Sequence, residues 1–302
     1  MGWRTVVINK TAKLDYKMGY LCVRTSEELT RIHISEIETL MIETTSVSIT
    51  AYLLVALANE KVNVIFCDER RCPQGQYTPF YGSYDTSDKI RKQIVWAKEA
   101  KQHIWKSVIT HKILGQSAVL KAHNHQTESD KLLTYIPDIQ EGDSTNREGH
   151  AAKVYFNGIF GMNFTRKNSE SEINAALNYG YSILLSSVAR EIISNGYLTQ
   201  IGIFHDNIFN QFNLASDLME PFRPFVDHHI LSLNIEQFGH DEKLKIAALP
   251  TIHVKIDGKQ QFFSNALTIY VKSILDAIDI NNPSIIKFPD YELQTYESDT
   301  IL

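Results

Sequence analysis

The hydrophobic pattern of this 302-residue chain changes period near residue 85. Before that point, apolar residues come in short runs rich in β-branched and aromatic side chains, which is typical of strands. These runs are 3–9, 20–26, 32–34, 39–43 and 62–69. From Asp85 onward, apolar residues mostly recur with the 3.6-residue period of helices. This order of patterns predicts an α+β protein in which a β unit precedes a helical unit.

The same pattern predicts the domain boundaries. Residues 1–84 are expected to form a small N-terminal β domain, β-sandwich-like and with one helix in ITAYLLVALANEK. Its last strand, GQYTPFYG, is expected at an edge because it contains a proline. Residues 85–288 are expected to form a larger all-α domain, although Asp257-Gly258 predicts a tight turn between two short strands. Residues 289–302 are acidic and aperiodic, which predicts a frayed tail.

Composition excludes several classes of protein. Hydrophobic and charged contents of 43% and 22% are those of an ordinary globular protein. No apolar run approaches the ~20 residues that span a bilayer, so we expect no membrane contact. Three cysteines without metal-ligand spacing (Cys22, Cys67 and Cys72) fit reduced thiols better than disulfides. We therefore expect a cytoplasmic protein.

The net charge of −5 conceals an asymmetry along the chain. Residues 1–170 hold 22 Lys and Arg against 19 Asp and Glu, whereas the remainder holds 8 against 16. Ten of the basic residues lie between Lys61 and Lys112, where they could line a phosphate-binding surface or simply a solvated helix face. Any DNA contact is therefore expected on one surface rather than over the whole protein.

The segment HDNIFNQFNLASDLMEPFRPFVD, residues 205–227, combines an apolar stripe with a charged one. Its apolar residues recur at steps of four, and its charged residues at steps of three, as on two faces of a helix. The apolar set is Leu214, Leu218, Phe222 and Val226, and the charged set is Asp217, Glu220 and Arg223. Pro221 and Pro224 predict that this helix is kinked or broken. The charged face could hold a divalent cation against phosphates, but ordinary ion pairs on a solvated face have the same spacing.

Two further candidate residues have simpler alternative explanations. Glu148, in STNREGHAAKVYFN, follows Thr145 by three residues and fits a capping box at the start of a helix. His205 ends a non-periodic stretch before the Asn-rich DNIFNQFN, and a lone histidine is often structural or exposed. Nothing in the local sequence requires these two residues to meet Glu220.

The segments STNREGHAAKVYFN, GIFHDNIFNQFN and ASDLMEPFRPFVD, in this order after a β unit, resemble the metal-dependent integrase of CRISPR spacer acquisition. The opening GWRTVVIN and the β-rich run that follows resemble the branch found in type II systems. The resemblance implies an N-terminal β domain and an all-helical C-terminal domain that carries the metal site. It implies that Glu148, His205 and Glu220 are the metal ligands. Glu220 stands where many members carry Asp.

The resemblance also implies the chemistry. Two carboxylates and an imidazole suit Mg²⁺ or Mn²⁺. The 3′-hydroxyl of an incoming DNA would attack a phosphodiester at the repeat border, which needs no nucleotide hydrolysis. Asp217 would orient a ligand or accept a proton, and Arg223 would contact the phosphate. Asn146 and Arg147, beside Glu148, are predicted with Arg223 to contact DNA.

The implied partners are double-stranded DNA, both prespacer and CRISPR repeat, and a second copy of the chain bound through the β domain. A small ferredoxin-like second adaptation protein is also implied, and other type II adaptation proteins are possible partners. Two alternatives stay open: a non-catalytic DNA-binding scaffold, whose carboxylates only hold helices together, and a hydrolase of small phosphate esters. Metal-dependent strand transfer distinguishes an integrase from both.

Overall fold

The computed structural model describes residues 2–79, 82–168 and 170–293. The strands are β1 (Arg4–Ile8), β2 (Ala12–Lys17), β3 (Tyr20–Arg24), β4 (Leu29–His33), β5 (Ile37–Ile42), β6 (Val47–Ile49), β7 (Asn63–Cys67), β8 (Pro73–Tyr77), β9 (His253–Ile256), β10 (Lys259–Phe262) and β11 (Pro289–Asp290). The helices are α1 (Ala51–Asn59), α2 (Thr86–Ile94), α3 (Lys98–Ala122), α4 (Gln126–Tyr135), α5 (Arg147–Phe160), α6 (Glu172–Ser194), α7 (Asn213–Leu218), α8 (Arg223–Ser232), α9 (His240–Ala247) and α10 (Phe263–Asp279). None of the described helices is long and apolar enough to cross a bilayer.

The N-terminal part consists of two sheets that share one core. One sheet has the order β1-β5-β7-β8, with β1, β5 and β7 parallel and β8 antiparallel at the edge. The other has the order β4-β3-β2-β6. Leu14 and Leu21 of the second sheet share a hydrophobic cluster with Leu40 and Val64 of the first and with Leu53 of α1. This arrangement accords with the predicted β-sandwich-like unit with one helix, and β8 is an edge strand as expected.

Strand β5 is buried along its whole length, as befits a parallel strand covered on both faces. Leu40 faces the core between the two sheets, whereas Met41 belongs to the hydrophobic core of the helical part. Tyr179 of α6 donates a hydrogen bond to the Met41 sulfur at 3.2 Å. The β sheet and the helices are therefore packed directly on one another.

The helical part begins with α2, and the predicted boundary at residue 84 falls between β8 and this helix. The helical pattern after Asp85 is interrupted at 95–97, where no Gly or Pro announces a break. Trp96 is half-buried there: its Nε1 donates to Asp279 at 2.8 Å, and its ring stacks on Tyr197 at 5.8 Å. The break therefore ties α2 and α3 to the end of α10.

Two predictions about the C-terminal part are corrected. The part is not all-α, because β9, β10 and β11 form a small antiparallel sheet in the order β10-β9-β11. Asp257 and Gly258, with φ of 52° and 72°, form the predicted tight turn between β9 and β10.

The predicted tail also begins too early. Residues 289–290 are β11, and the Tyr291 hydroxyl donates to the Pro221 carbonyl at 3.0 Å while its ring stacks on Phe225 at 5.4 Å. The acidic composition of the segment gave no indication that Tyr291 packs against the helical part. Residues 294–302 lie outside the described residues.

The segment after His205 breaks at its prolines, as predicted. Helix α7 ends at Leu218, a 3₁₀ turn spans Glu220–Phe222, and α8 starts at Arg223. The apolar stripe is fully buried, including Leu214, Phe222 and Val226. Gly180 of α6 lets α8 approach closely, because a Cβ there would lie 2.6 Å from Val226 Cγ1. This packing fixes the position of the charged residues between α7 and α8.

Candidate functional site

Glu148 and Glu220 converge on one lysine in the interior. Glu148 lies in the first turn of α5, Glu220 lies in the 3₁₀ turn, and Lys112 projects from the middle of α3. Lys112 Nζ lies 2.6 Å from Glu148 Oε1 and 2.5 Å from Glu220 Oε2. The Lys112 and Glu220 side chains are only 9% and 4% exposed. Three elements that are distant in sequence therefore meet at a buried cluster of charges.

Glu148 does not form the capping box that its spacing with Thr145 suggests. The N-terminus of α5 is capped by Asp143, whose two carboxylate oxygens accept from the amides of Arg147 at 2.8 Å and Glu148 at 2.9 Å. Thr145 Oγ1 donates instead to the Asp138 carbonyl at 3.3 Å. Because Asp143 satisfies the helix terminus, the Glu148 carboxylate is available to the charge cluster.

Asp217 holds the loop that carries His205. Its buried carboxylate accepts from the backbone amides of Ile203 at 2.6 Å, Phe204 at 3.0 Å and His205 at 3.1 Å. The same carboxylate lies 2.6 Å from His205 Nδ1. Gly202 makes this wrapping possible, because a Cβ there would lie 2.7 Å from Asp217 Oδ2 and 2.3 Å from the His205 carbonyl oxygen. Asp217 therefore faces this loop rather than sharing an exposed helix face with Arg223.

The Asp217 contact has an electrostatic consequence for His205. The hydrogen bond that His205 donates to Asp217 raises the pKa of His205 above its ordinary value, and the carboxylates of Glu220 and Glu148 act in the same direction. Because Nδ1 faces Asp217, the ring is oriented with Nε2 available for a ligand.

Arg223 forms an ion pair with Glu220, which is the alternative to a phosphate contact that their three-residue spacing allowed. Its Nε donates to Glu220 Oε1 at 2.8 Å, and its guanidinium lies 4.5 Å from the centre of the Tyr181 ring. Coulombic attraction from Arg223 and Lys112 holds the pKa of Glu220 below its ordinary value, although burial acts in the opposite direction. Glu220 is thus kept ionised inside the protein.

A further buried carboxylate lies beyond Tyr181. Asp227 accepts hydrogen bonds from the hydroxyls of Tyr181 and Tyr155, the latter at 3.0 Å. Burial raises the pKa of Asp227 to about 6 even though both tyrosines oppose this shift. The sequence pattern did not point to this residue, because Asp227 stands one residue after the last member of the apolar stripe.

Asn146 and Arg147 make contacts within the protein. Asn146 adopts a left-handed backbone with φ of 51° just before α5. Arg147 Nη2 lies 3.1 Å from Asp138 Oδ2, and its guanidinium lies 5.6 Å from the centre of the Tyr135 ring. Arg147 is therefore engaged at the start of α5 by Asp138 and Tyr135. Contact of Asn146 and Arg147 with DNA stays a prediction.

The loop after His205 exposes large apolar side chains. Ile208 and Phe209 are 89% and 88% exposed. The loop is nevertheless held in place by Asn213, whose Nδ2 donates hydrogen bonds to the carbonyls of Gln200 and Asn207 at 3.0 Å. Two bulky apolar side chains on a fixed loop next to His205 form a surface that the local sequence signals only by its Asn-rich composition.

The types of side chain at this site suit a hard divalent cation, but their positions do not form a complete coordination shell. In the described ranges, no three His, Cys, Asp or Glu side chains converge closely enough to form a metal site. The structure brings Glu148 and Glu220 together on Lys112, with His205 nearby. Buried Glu220 Oε2 accepts no well-aligned hydrogen bond, although Lys112 lies beside it. Two carboxylates and an oriented imidazole are the donor types that Mg²⁺ and Mn²⁺ accept.

Sequence comparison identifies relatives over nearly the whole chain. Residues 5–265 match the family model described as CRISPR associated protein Cas1. The chain is 34% identical over 297 residues to the CRISPR-associated endonuclease Cas1 of Neisseria meningitidis serogroup C, covering 96% of this chain and 97% of that protein.

Two solved structures share the fold. One, described as a casposase bound to integration product, has a TM-score of 0.74 at 21% identity and covers 99% of this chain and 96% of that one. The other, a Cas6-RT-Cas1–Cas2 complex, has a TM-score of 0.71 at 18% identity and covers 96% of this chain but 36% of that one. The family match and the similarity to the Neisseria protein, both spanning most of the sequence, establish that the chain belongs to the Cas1 family of CRISPR-associated proteins.

Proposed function

We propose that this chain is the DNA integrase and endonuclease of CRISPR adaptation. It joins the 3′-hydroxyl ends of foreign DNA fragments to the borders of the repeats by transesterification. The observation that carries the proposal is the convergence of Glu148 and Glu220, from two distant segments, on one buried charge cluster. Membership in the Cas1 family and the similarity to a protein named as an endonuclease support the same reaction class.

Glu148, Glu220 and His205 would hold Mg²⁺ or Mn²⁺ through two carboxylates and ring Nε2. When bound, such a cation lowers the pKa of the attacking hydroxyl, polarises the phosphorus and neutralises developing charge. Asp217 fixes the orientation of the His205 ring and holds its loop through four contacts. Arg223 keeps Glu220 charged and supplies a guanidinium that can meet a phosphate oxygen.

The partners follow from the same assignment. We assign a homodimer formed through the β domain, and a small ferredoxin-like second adaptation protein that binds it. A chain of the Cas6-RT-Cas1–Cas2 complex shares this fold, and the Cas2 component of that complex supports a partner of this kind. The substrates are double-stranded prespacer and repeat DNA, with Asn146, Arg147 and Arg223 as candidate contacts and a cytoplasmic location for the reaction.

The test is strand transfer of a labelled duplex with 3′-hydroxyl ends into a plasmid that bears the repeat. The reaction contains the small partner protein and either Mn²⁺ or EDTA, and it compares the native chain with Glu148→Ala. Joining that requires Mn²⁺ and is abolished by the substitution supports the proposal. Duplex binding without joining, unaffected by Glu148→Ala, would favour the non-catalytic scaffold instead.

A matched variant separates loss of a ligand from loss of the fold. Glu141→Ala removes an exposed glutamate from the turn that precedes α5, where it pairs at the surface with Lys106 at 3.5 Å. This variant is expected to join DNA as the native chain does. If both variants lose joining equally, the effect of Glu148→Ala is structural.

A further inference from the structure

Lys112 is the residue of the charge cluster for which the proposed reaction has no assigned role. It lies on the buried face of α3, at steps of four residues from Ile104 and Val108. A lysine ammonium in such a place loses its hydration and is tolerated only where anions compensate for that loss. Glu148 and Glu220 provide the compensation at 2.6 and 2.5 Å, and their attraction raises the pKa of Lys112 against the effect of burial.

The paired side chains of Lys112, Arg223, Glu148 and Glu220 balance one another in charge. Lys112 and Arg223 carry two positive charges, and Glu148 and Glu220 carry two negative ones. A divalent cation bound by the same two carboxylates would leave two excess positive charges in the interior. Such an excess is costly where the effective dielectric constant is low.

The ammonium group also occupies the space that a cation needs. Mg²⁺ binds carboxylate oxygens at about 2.0–2.1 Å and tolerates little distortion. Lys112 Nζ, at 2.5 and 2.6 Å from one oxygen of each glutamate, contacts the atoms that such an ion would contact. Both contacts of the ammonium group are ion pairs with buried or half-buried carboxylates, so a bound cation and Lys112 would compete for the same oxygens.

We infer that Lys112 is an internal counter-ion of Glu148 and Glu220, and that a divalent cation must displace its ammonium group from these two carboxylates in order to bind. This inference rests on the proposed metal ligands and adds that Lys112 competes with the cation for them, which lowers the affinity of the site for the cation. Lysine suits this role because its charge sits at the end of a flexible four-carbon stem that can swing away. The ion pairs keep the two carboxylates from repelling one another before the metal arrives, and they weaken metal binding by the free energy of breaking them.

The test measures metal binding and thermal stability in Lys112→Met, which keeps the apolar stem and removes the charge. Mn²⁺ affinity is followed by the electron paramagnetic resonance signal of free Mn²⁺, and the melting temperature is measured in EDTA and in saturating Mn²⁺. We expect Lys112→Met to bind Mn²⁺ about tenfold more tightly and to melt at a lower temperature in EDTA. The rise in melting temperature on adding Mn²⁺ is therefore larger than in the native protein.

Two companion variants make the result specific. Lys112→Met combined with Glu148→Gln leaves one buried carboxylate, already paired with Arg223, so its melting temperature in EDTA is expected to recover while Mn²⁺ binding is lost. Lys121→Met removes an exposed lysine from the same helix and is expected to change neither quantity. If Lys112→Met does not fold, Lys112→Gln removes the charge but can still donate one hydrogen bond, and the same direction of change is expected.

Unchanged or weaker Mn²⁺ binding in the folded Lys112 variants would overturn the inference, since it would show that lysine and metal do not compete. An unchanged melting temperature in EDTA would overturn it as well. Failure of the proposed metal site gives a different result. In that case Glu148→Gln in the native background leaves Mn²⁺ binding unaltered, whatever the effect of Lys112.

Discussion

Asp217 holds His205 at two points: its carboxylate lies 2.6 Å from the ring Nδ1 and accepts from the backbone amide at 3.1 Å. The carboxylate also accepts from the amides of Ile203 and Phe204, so one buried side chain fixes both the ring and the loop. In the proposed reaction Asp217 therefore acts through His205 rather than on the phosphate. This relationship can be broken without removing the histidine itself.

Asp217→Asn should impair strand transfer without unfolding the protein. An amide NH₂ cannot accept from the loop amides, so the ring and its loop lose part of their alignment. We expect joining to fall by about 10- to 100-fold and Mn²⁺ affinity to fall with it. Asp241→Asn, at an exposed carboxylate in α9, serves as the control. Native joining and native Mn²⁺ affinity in Asp217→Asn would contradict the positioning role.

Gly202→Ala should displace the same loop by steric means. Its Cβ would lie 2.3 Å from the His205 carbonyl oxygen, a backbone atom that must shift to make room. We expect the free energy of unfolding to fall by about 1–3 kcal/mol and strand transfer to fall as well. Urea denaturation and the joining assay measure the two effects. Gly75→Ala is the matched control, because nothing lies within 4 Å of its Cβ position.

Asp143→Asn should weaken the cap of α5. Asparagine tolerates the left-handed backbone at this position, φ of 50°, but offers one acceptor oxygen where the carboxylate offers two. One of the amides of Arg147 and Glu148 then loses its partner, which we expect to lower the free energy of unfolding by about 1 kcal/mol. Thr145→Ala should cost less than about 0.5 kcal/mol, since Thr145 does not cap the helix. A larger effect at Thr145 than at Asp143 would restore the capping-box interpretation.

Asp227→Asn should remove a pH dependence of stability. Burial raises the pKa of Asp227 from 3.8 to about 6, so the folded state binds this proton more tightly than the unfolded state does. The contribution of Asp227 to the free energy of unfolding is therefore greatest below about pH 4 and is lost as the pH rises through about 6, a change of about 3 kcal/mol. Urea titrations of the two proteins at pH 4 and pH 7 measure the difference. An equal pH dependence in both would mean that Asp227 titrates normally.

Much of the fold could be predicted where local pattern and tertiary environment agree. The β-branched runs, the helix α1, the Asp257-Gly258 turn and the break at Pro221 are all present. Strand β2, AKLDYK, was not predicted because it contains no β-branched residue, although its buried Ala12 and Leu14 alternate with polar residues. The break in the helix at 95–97 was not predicted, because it accompanies a hydrogen bond from Trp96 to Asp279 that the local sequence does not indicate.

The site was predicted less completely. The resemblance named Glu148, His205 and Glu220; the structure brings the two glutamates together but with Lys112 between them, and the ligand role of all three stays a prediction. A lysine at steps of four from Ile104 and Val108 on an apolar stripe is the signal that could have revealed it. The anions that make its burial tolerable come from segments more than thirty residues away, which a local pattern does not contain.

The burial of β5 on both faces also bears on how this protein can be divided. Met41 and Ile65 belong to the N-terminal sheet in sequence but to the helical core in space. In a fragment that ends at residue 84, these two side chains would be exposed to solvent. In a fragment that begins at residue 85, the apolar surface of α6 that they cover would be exposed instead. The two parts should therefore melt as one cooperative unit, and the sequence boundary is a poor place to cut the chain for separate expression.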